Sequence, residues 1–306
     1  MRWWSKKVLI TGGAGFIGSS VARTLANLDA EIIIIDNFST GRKEYIPPHS
    51  KVIIGNVSDK LIFKDLYKEE IDYIFHFGGP SSSYLFKQDP ASCFYTEVAG
   101  FLNILSLARE INARKVIYAS SCTVYGDSPI PFSEDMRPRP CSLYAVSKVA
   151  CEYIARLYSD VPTLIFRIFT GYGPREEHKG CFASVVTQFL KAILEGKRPI
   201  VFGDGTQSRD FIYIEDIVKA IIRGAEREVT GIINLGSGRA YTYNHVIELI
   251  NYFLGKNIEP LYVTLPRNYV YAKQADITKM KKLLGVSPLP LKDGLQKYIL
   301  TITSSQ

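Results

Sequence analysis

Along the first half of the chain, short runs that are apolar at nearly every position alternate with longer stretches whose apolar residues return every three or four positions. The runs KVLIT (7–11), EIIIID (31–36), KVIIGNV (51–57), DYIFHFG (72–78), KVIYASS (115–121) and PTLIFRIF (162–169) predict strands. The helical spacing falls over 16–28, 59–69, 90–110 and 143–159. Strands apolar on both faces and separated by helices predict an α/β fold: a doubly wound parallel sheet covered on both sides.

Past residue 170 the alternation becomes irregular. A loop, YGPREEHKG, leads to a helix near 181–195, the segment RPIVFGDGTQSRDFIYI, a helix near 215–227 and a strand at 231–236. Short helices near 276–284 and 291–302 close the chain, and YVYAK (269–273) reads as a strand. The pattern predicts a core domain over 1–169 and 212–236, with a smaller C-terminal α/β substrate-binding lobe over 170–211 and 237–306. The stretches 90–108 and 143–158 are apolar around most of their circumference, so each needs cover on more than one side. A neighbouring lobe or a second copy of the chain meets that need.

Composition narrows the chemistry. The 306 residues carry a net charge of +7, but Lys and Arg are interleaved with acids and form no basic run, which argues against nucleic acid and suits an anionic small substrate. No apolar run approaches a membrane span, and MRWWSKKVLI passes straight into a strand, so a cytoplasmic protein is expected. The five cysteines are scattered without a CxxC, and the four histidines build no cluster, which points to reduced thiols and metal-free chemistry.

The first strand runs into TGGAGFIG (11–18), which opens a helix. Glycines at 12, 15 and 18 in that setting allow a tight turn, close approach of a pyrophosphate and close packing of helix on sheet. Asp36, at the end of the second strand, is placed to accept the ribose hydroxyls of a dinucleotide and to repel a 2′-phosphate, favouring NAD, although Arg42 and Lys43 lie nearby. Two tyrosine–lysine pairs have a spacing of four, Tyr144 with Lys148 and Tyr269 with Lys273. Only the first follows a hydroxyl-rich strand end, ASSCTVYGD, and opens a helix that sets both side chains on one face.

With TGGAGFIG, DNFSTG, SSCTVYG, YAVSK, GDGTQSRDF and NLGSG in this order, nearly the whole chain resembles the extended short-chain dehydrogenase/reductases, NAD-dependent sugar-nucleotide epimerases and dehydratases of the UDP-glucose 4-epimerase type. The resemblance implies a Rossmann domain holding NAD through Gly12, Gly15, Phe16, Ile17, Gly18, Asp36, Asn37, Ser39, Asn56, Val57, Phe77, Gly78 and Gly79, with Tyr144 and Lys148. It implies Tyr144 as general base, Lys148 as its partner, and Ser121 and Thr123 on the reacting sugar hydroxyl. Thr170, Phe202, Arg209, Arg267 and Lys273 are the implied substrate contacts, with a UDP-hexose as substrate. A homodimer through the helices near 90–110 and 143–159 is implied as well.

The chain departs from the family pattern at HFGGP (76–80), at Thr96 and Thr170, where asparagines are common, and at Lys273, which could pair with a uronate. Cys122 and Thr123 stand where the 4,6-dehydratases have an Asp and Glu pair. A GDP-fucose-synthase-like epimerase/reductase, a UDP-glucuronate 4-epimerase and a non-catalytic NAD-binding regulatory protein stay open as alternatives.

Overall fold

The computed structural model of the chain describes residues 2–265 and 270–304. The described residues form two compact units, one of Met1–Tyr125, Arg137–Arg167 and Val218–Ile233, the other of Gly126–Met136, Ile168–Ile217 and Asn234–Gln306.

The first unit is built on β1 (Lys7–Thr11), β2 (Glu31–Asp36), β3 (Lys51–Ile54), β4 (Tyr73–His76), β5 (Lys115–Ser121) and β6 (Thr163–Ile168). They form a seven-stranded sheet with β10 (Gly231–Leu235), in the order β3-β2-β1-β4-β5-β6-β10. Leu9 of β1 lies opposite Ile33 on one side and Ile74 on the other, both in parallel register. The chain winds outward from β1 to β3, then crosses to β4 and winds the other way. That reversal leaves a crevice at the C-terminal ends of β1 and β4, where doubly wound sheets bind ligands.

Helices α1 (Phe16–Ala26), α2 (Ser83–Gln88), α3 (Pro90–Glu110) and α4 (Leu143–Leu157) accompany these strands. One buried core joins Leu9, Ile33, Ile74 and Val116 of the sheet to Phe101, Ile104 and Leu105 of α3. Burying a side chain of this size contributes about 1.5–3 kcal/mol, which is what holds α3 against the strands. By length and mean hydropathy α3 could cross a membrane. Here it is a core helix that also buries a carboxylate, Glu97.

In the second unit, β7 (Thr170–Tyr172), β9 (Ser208–Tyr213) and β11 (Ala240–Thr242) make one sheet, and β8 (Ile200–Phe202) pairs with β12 (Leu261–Val263). Its helices are α5 (Val185–Leu194), α7 (Tyr243–Leu254), α8 (Thr278–Leu284) and α9 (Leu291–Thr303), while α6 (Ile214–Glu226) belongs to the first unit from Val218 onward.

Two expectations are corrected. The helix predicted over 59–69 is a pair of 3-10 turns, Lys60–Phe63 and Leu66–Lys68. Asp59 and Asp65 each start a new turn, the Asp59 carboxylate accepting from the Leu61 amide, so the segment never propagates an α-helix. The strand read at YVYAK is, over its described residues, one isolated bridge from Ala272 to Ser208. Tyr269 lies outside the described residues.

Candidate active site

The glycine loop joins β1 to α1 through close contacts that other residues could not make. Gly12 has φ +66°, and a β-carbon there would come within 2.7 Å of the Gly78 amide. At Gly18 a β-carbon would lie 2.1 Å from the Gly12 carbonyl oxygen, so α1 enters the sheet at backbone distance. Gly15 differs: a β-carbon there would meet only the Gly12 carbonyl, at 3.3 Å. Gly15 is also the N-cap of α1, and no side chain caps the helix. The space above Gly15, with the positive end of α1 beneath it, fits the pyrophosphate of a dinucleotide.

Asp36 ends β2 buried, one oxygen accepting from the Ala14 amide at 2.9 Å and the other from the Phe38 amide at 2.8 Å. Each oxygen keeps a second lone pair for a ribose hydroxyl. Asn37 and Asn56 brace the turns after β2 and β3, accepting from the Ser39 and Ser58 amides at 3.0 Å. Val57 is buried against Gly100 of α3. Phe77, Gly78 and Gly79 follow β4, where the Gly78 amide donates to the Thr11 hydroxyl at 3.1 Å. The residues expected to hold NAD therefore lie at the C-terminal edge of β1 to β4.

At the end of β5, the Ser121 hydroxyl accepts from the Thr123 amide at 3.2 Å and from the Thr123 hydroxyl at 3.0 Å. Ser142 caps α4 by accepting from the Ala145 amide at 3.2 Å, which places Tyr144 in the first turn and Lys148 one turn later. Phe86 of α2 meets the Tyr144 ring edge-on at 5.6 Å. The Tyr144 phenol is hydrogen-bonded to Ser121, and Lys148 Nζ is 5.7 Å from the Tyr144 ring centroid. The four residues expected to do the chemistry are one cluster.

Two residues that sequence reasoning missed complete it. Lys148 Nζ donates to Glu97 Oε1 at 2.7 Å and to the Ala119 carbonyl at 2.9 Å. The Tyr118 hydroxyl donates to the same Glu97 oxygen at 2.6 Å. Glu97 is 1% exposed, and its Oε2 has no hydrogen-bond partner. The signal was present: Glu97 is the only charged residue in the stretch 90–108. Thr96, its neighbour and a departure from the family pattern, is only partly buried.

Electrostatics follow from this arrangement. Burial raises the pKa of the Tyr144 phenol above the usual tyrosine range; Lys148 opposes the rise and Glu97 adds to it. Burial works against the Lys148 ammonium, yet Glu97 outweighs it and the pKa ends above the ordinary lysine value. His76, packed beside the paired rings of Phe101 and Tyr118 with Nδ1 2.6 Å from the Thr11 hydroxyl, is driven down to about 3 by burial and by Lys148.

The expected substrate contacts lie in the second unit. Arg209 of β9 donates to the carbonyls of Ser208, Val270 and Tyr271, the last two at 2.8 and 3.0 Å. The Lys273 amide donates to the Ser208 carbonyl at 3.2 Å, so the Lys273 backbone runs beside the start of β9 next to Arg209. Thr170 opens β7 opposite Phe211, away from that end. Phe202 ends β8 opposite Val263, with its ring half exposed. Arg267 lies outside the described residues.

Fold and site together define a nucleotide-cofactor enzyme: a doubly wound sheet with a phosphate-binding glycine loop and a tyrosine–lysine pair at the ends of its strands. Residues 8–236 match the NAD dependent epimerase/dehydratase family, and the chain belongs to that family, with NAD as cofactor. It is 30% identical to a putative UDP-glucose 4-epimerase of Methanocaldococcus jannaschii, covering 95% of this chain and 97% of the relative. It is 32% identical to UDP-glucuronic acid decarboxylase 1 of Xenopus tropicalis, covering 96% of this chain and 71% of that one. Among solved structures, UDP-glucose 4-epimerase with UDP-glucose from Thermotoga maritima superposes with a TM-score of 0.94 at 28% identity, covering 98% and 99% of the two chains.

Proposed function

We propose that the chain is a nucleotide-sugar 4-epimerase acting on UDP-glucose/UDP-galactose or a related UDP-hexose through a transient 4-keto sugar. The observation that carries the reading is the cluster of Tyr144, Lys148, Ser121 and Thr123, which offers one base, one cation and two hydroxyls around a single point. Bound NAD supplies the acceptor and donor for the C4 hydride and a positive charge beside the phenol. Tyr144 takes the proton of the sugar C4 hydroxyl, while Ser121 and Thr123 hold that oxygen. Lys148 stabilises the phenolate with one ammonium hydrogen left over for the cofactor's ribose. Once the ketone has turned its other face, C4 regains its hydride and the oxygen regains its proton from Tyr144, so the cycle would have no net redox change. Cys122 and Thr123, where an elimination would need carboxyl groups, support epimerisation over dehydration.

A second reading, with UDP-glucuronate as substrate, is favoured by Lys273 beside Arg209 and by the similarity to a UDP-glucuronic acid decarboxylase. Proton NMR of the anomeric region, with NAD and separately UDP-glucose, UDP-N-acetylglucosamine or UDP-glucuronate, decides between them. A C4 epimer in a hexose tube supports the first reading. A C4 epimer or a decarboxylated pentose in the uronate tube alone moves the assignment to the second, and no change in any tube overturns both.

The assembly proposed with this function is a homodimer through α3 and α4. On α4 the residues Leu143, Val146, Tyr153 and Leu157 recur at helical spacing and are exposed, and α3 adds Tyr95. Apolar stripes of this kind are commonly buried against a second copy. Sedimentation equilibrium should give a dimer for the wild type and a monomer for Leu157→Glu; a monomeric wild type overturns the assembly.

A further inference from the structure

Glu97 has no place in the reaction as described, yet it is the most deeply buried carboxylate beside it. Its Oε1 is saturated by Lys148 and Tyr118. Its unpartnered Oε2 faces Gly79: a β-carbon at that position would stand 2.6 Å from it. Gly79, with φ +153°, leaves that oxygen room which a β-carbon would crowd. An unpaired buried charge is costly, and Glu97 and Lys148, at 1% and 10% side-chain exposure, are each other's remedy.

The other titratable groups facing the pair leave the balance to Glu97. Tyr118 of β5 is a phenol pushed well up by burial, and His76 of β4 stays neutral. On α4, burial pushes the Cys151 thiol up to about 12. Cys122 follows Ser121, and Cys93, one turn before Glu97 on α3, is pushed up by burial. The charges at the site are therefore one ammonium and one carboxylate.

We propose that Glu97 is a positioning residue that balances the charge of Lys148, so that Tyr144 keeps its proton in the ligand-free chain and becomes a base only when a cationic cofactor ring sits beside it. The ammonium alone would draw the phenol toward ionisation, the proton leaving to water; with the carboxylate 2.7 Å away most of that pull is cancelled. Cofactor binding then restores the net positive charge. This ties the appearance of the base to the presence of its redox partner, and an empty site stays unreactive.

The proposal rests on Tyr144 being the base, but its test needs no turnover. The tyrosinate absorbance of ligand-free protein is titrated, and the Tyr144 signal is isolated by subtracting Tyr144→Phe; the same pair is measured with Glu97→Gln and with Glu97→Asp. The wild-type midpoint should lie above the ordinary phenol value of about 10. Glu97→Gln, which keeps the hydrogen-bond acceptor and loses the charge, should move it down by about one unit or more, and Glu97→Asp should leave it near wild type. Equal midpoints in wild type and Glu97→Gln overturn the proposal. So does a wild-type phenol that ionises below about 10, a result that stands even if no Glu97 variant folds. Failure of the sugar assay with these midpoints intact would overturn the reaction and leave the charge balance in place.

Discussion

Tyr144 and Lys148 stand one helical turn apart and share a site, but the structure assigns them different costs. The Tyr144 hydroxyl reaches Ser121, and its ring rests on Phe86. Tyr144→Phe keeps the ring contact and removes the proton acceptor, so the fold and NAD binding should survive while turnover falls by about 10²–10⁴. Lys148 instead neutralises Glu97 inside the protein. Lys148→Met strands that carboxylate and should cost about 3–5 kcal/mol of stability besides turnover. Urea unfolding beside the NMR assay separates the two. Equal stability losses in both variants would contradict the buried ion pair as the structural role of Lys148.

The glycine loop shows the same division at the level of one strand and one helix. Gly18 is needed by the protein itself, since a β-carbon would lie 2.1 Å from the Gly12 carbonyl. Gly15 is needed by what approaches from outside. Gly18→Ala should therefore destabilise the chain by about 2–3 kcal/mol or more. Gly15→Ala should cost less than about 1 kcal/mol and weaken NAD at least about tenfold. A calorimetric titration with NAD and a thermal melt of each variant check this, and similar affinity loss without any stability difference would refute it. These elements were legible because their residues obey one local rule each. KVLIT, EIIIID and KVIYASS are apolar on both faces and end at turn residues, and their strands have the predicted bounds. The segment 59–69 breaks into two short turns, the first opened by Asp59 capturing the Leu61 amide and the second restarting after Asp65. Glu97 went unread for another reason: a lone carboxylate on an apolar helix is ordinarily the solvent side, and only the approach of α4 and β5 turns it inward. Arg209 and Lys273 read in the sequence as cations for a diphosphate or a uronate, but that the Arg209 guanidinium and the Lys273 amide meet backbone carbonyls at the start of β9 depends on a tertiary approach no spacing encodes.

For the molecule as a whole, the buried histidine makes stability depend on pH. Folded His76 stays neutral down to about 3, because burial and Lys148 oppose its protonation. In the unfolded chain the same imidazole titrates near its ordinary value of about 6.5. Between those values the unfolded state binds one more proton than the folded state, so stability falls as the pH falls, at up to about 1.4 kcal/mol per pH unit. Its contribution is fully present above about pH 6.5 and is lost progressively toward pH 3. Glu69, drawn down to about 2 by Lys51 and Lys7, has the same sign in a lower window, from its ordinary value toward 2. The two windows can be separated, since from pH 7 to 5 the carboxylates are ionised in both states and the histidine term acts first. Urea unfolding at pH 7 and pH 5 should show wild type losing about 2 kcal/mol more than His76→Asn over that interval. The remaining histidines are common to both proteins and cancel in the comparison. An equal loss in wild type and variant would mean that His76 takes up its proton in the folded chain. The imidazole packed beside Phe101 and Tyr118 would then be a second cation facing Lys148, and the charge balance at Glu97 would have to be redrawn.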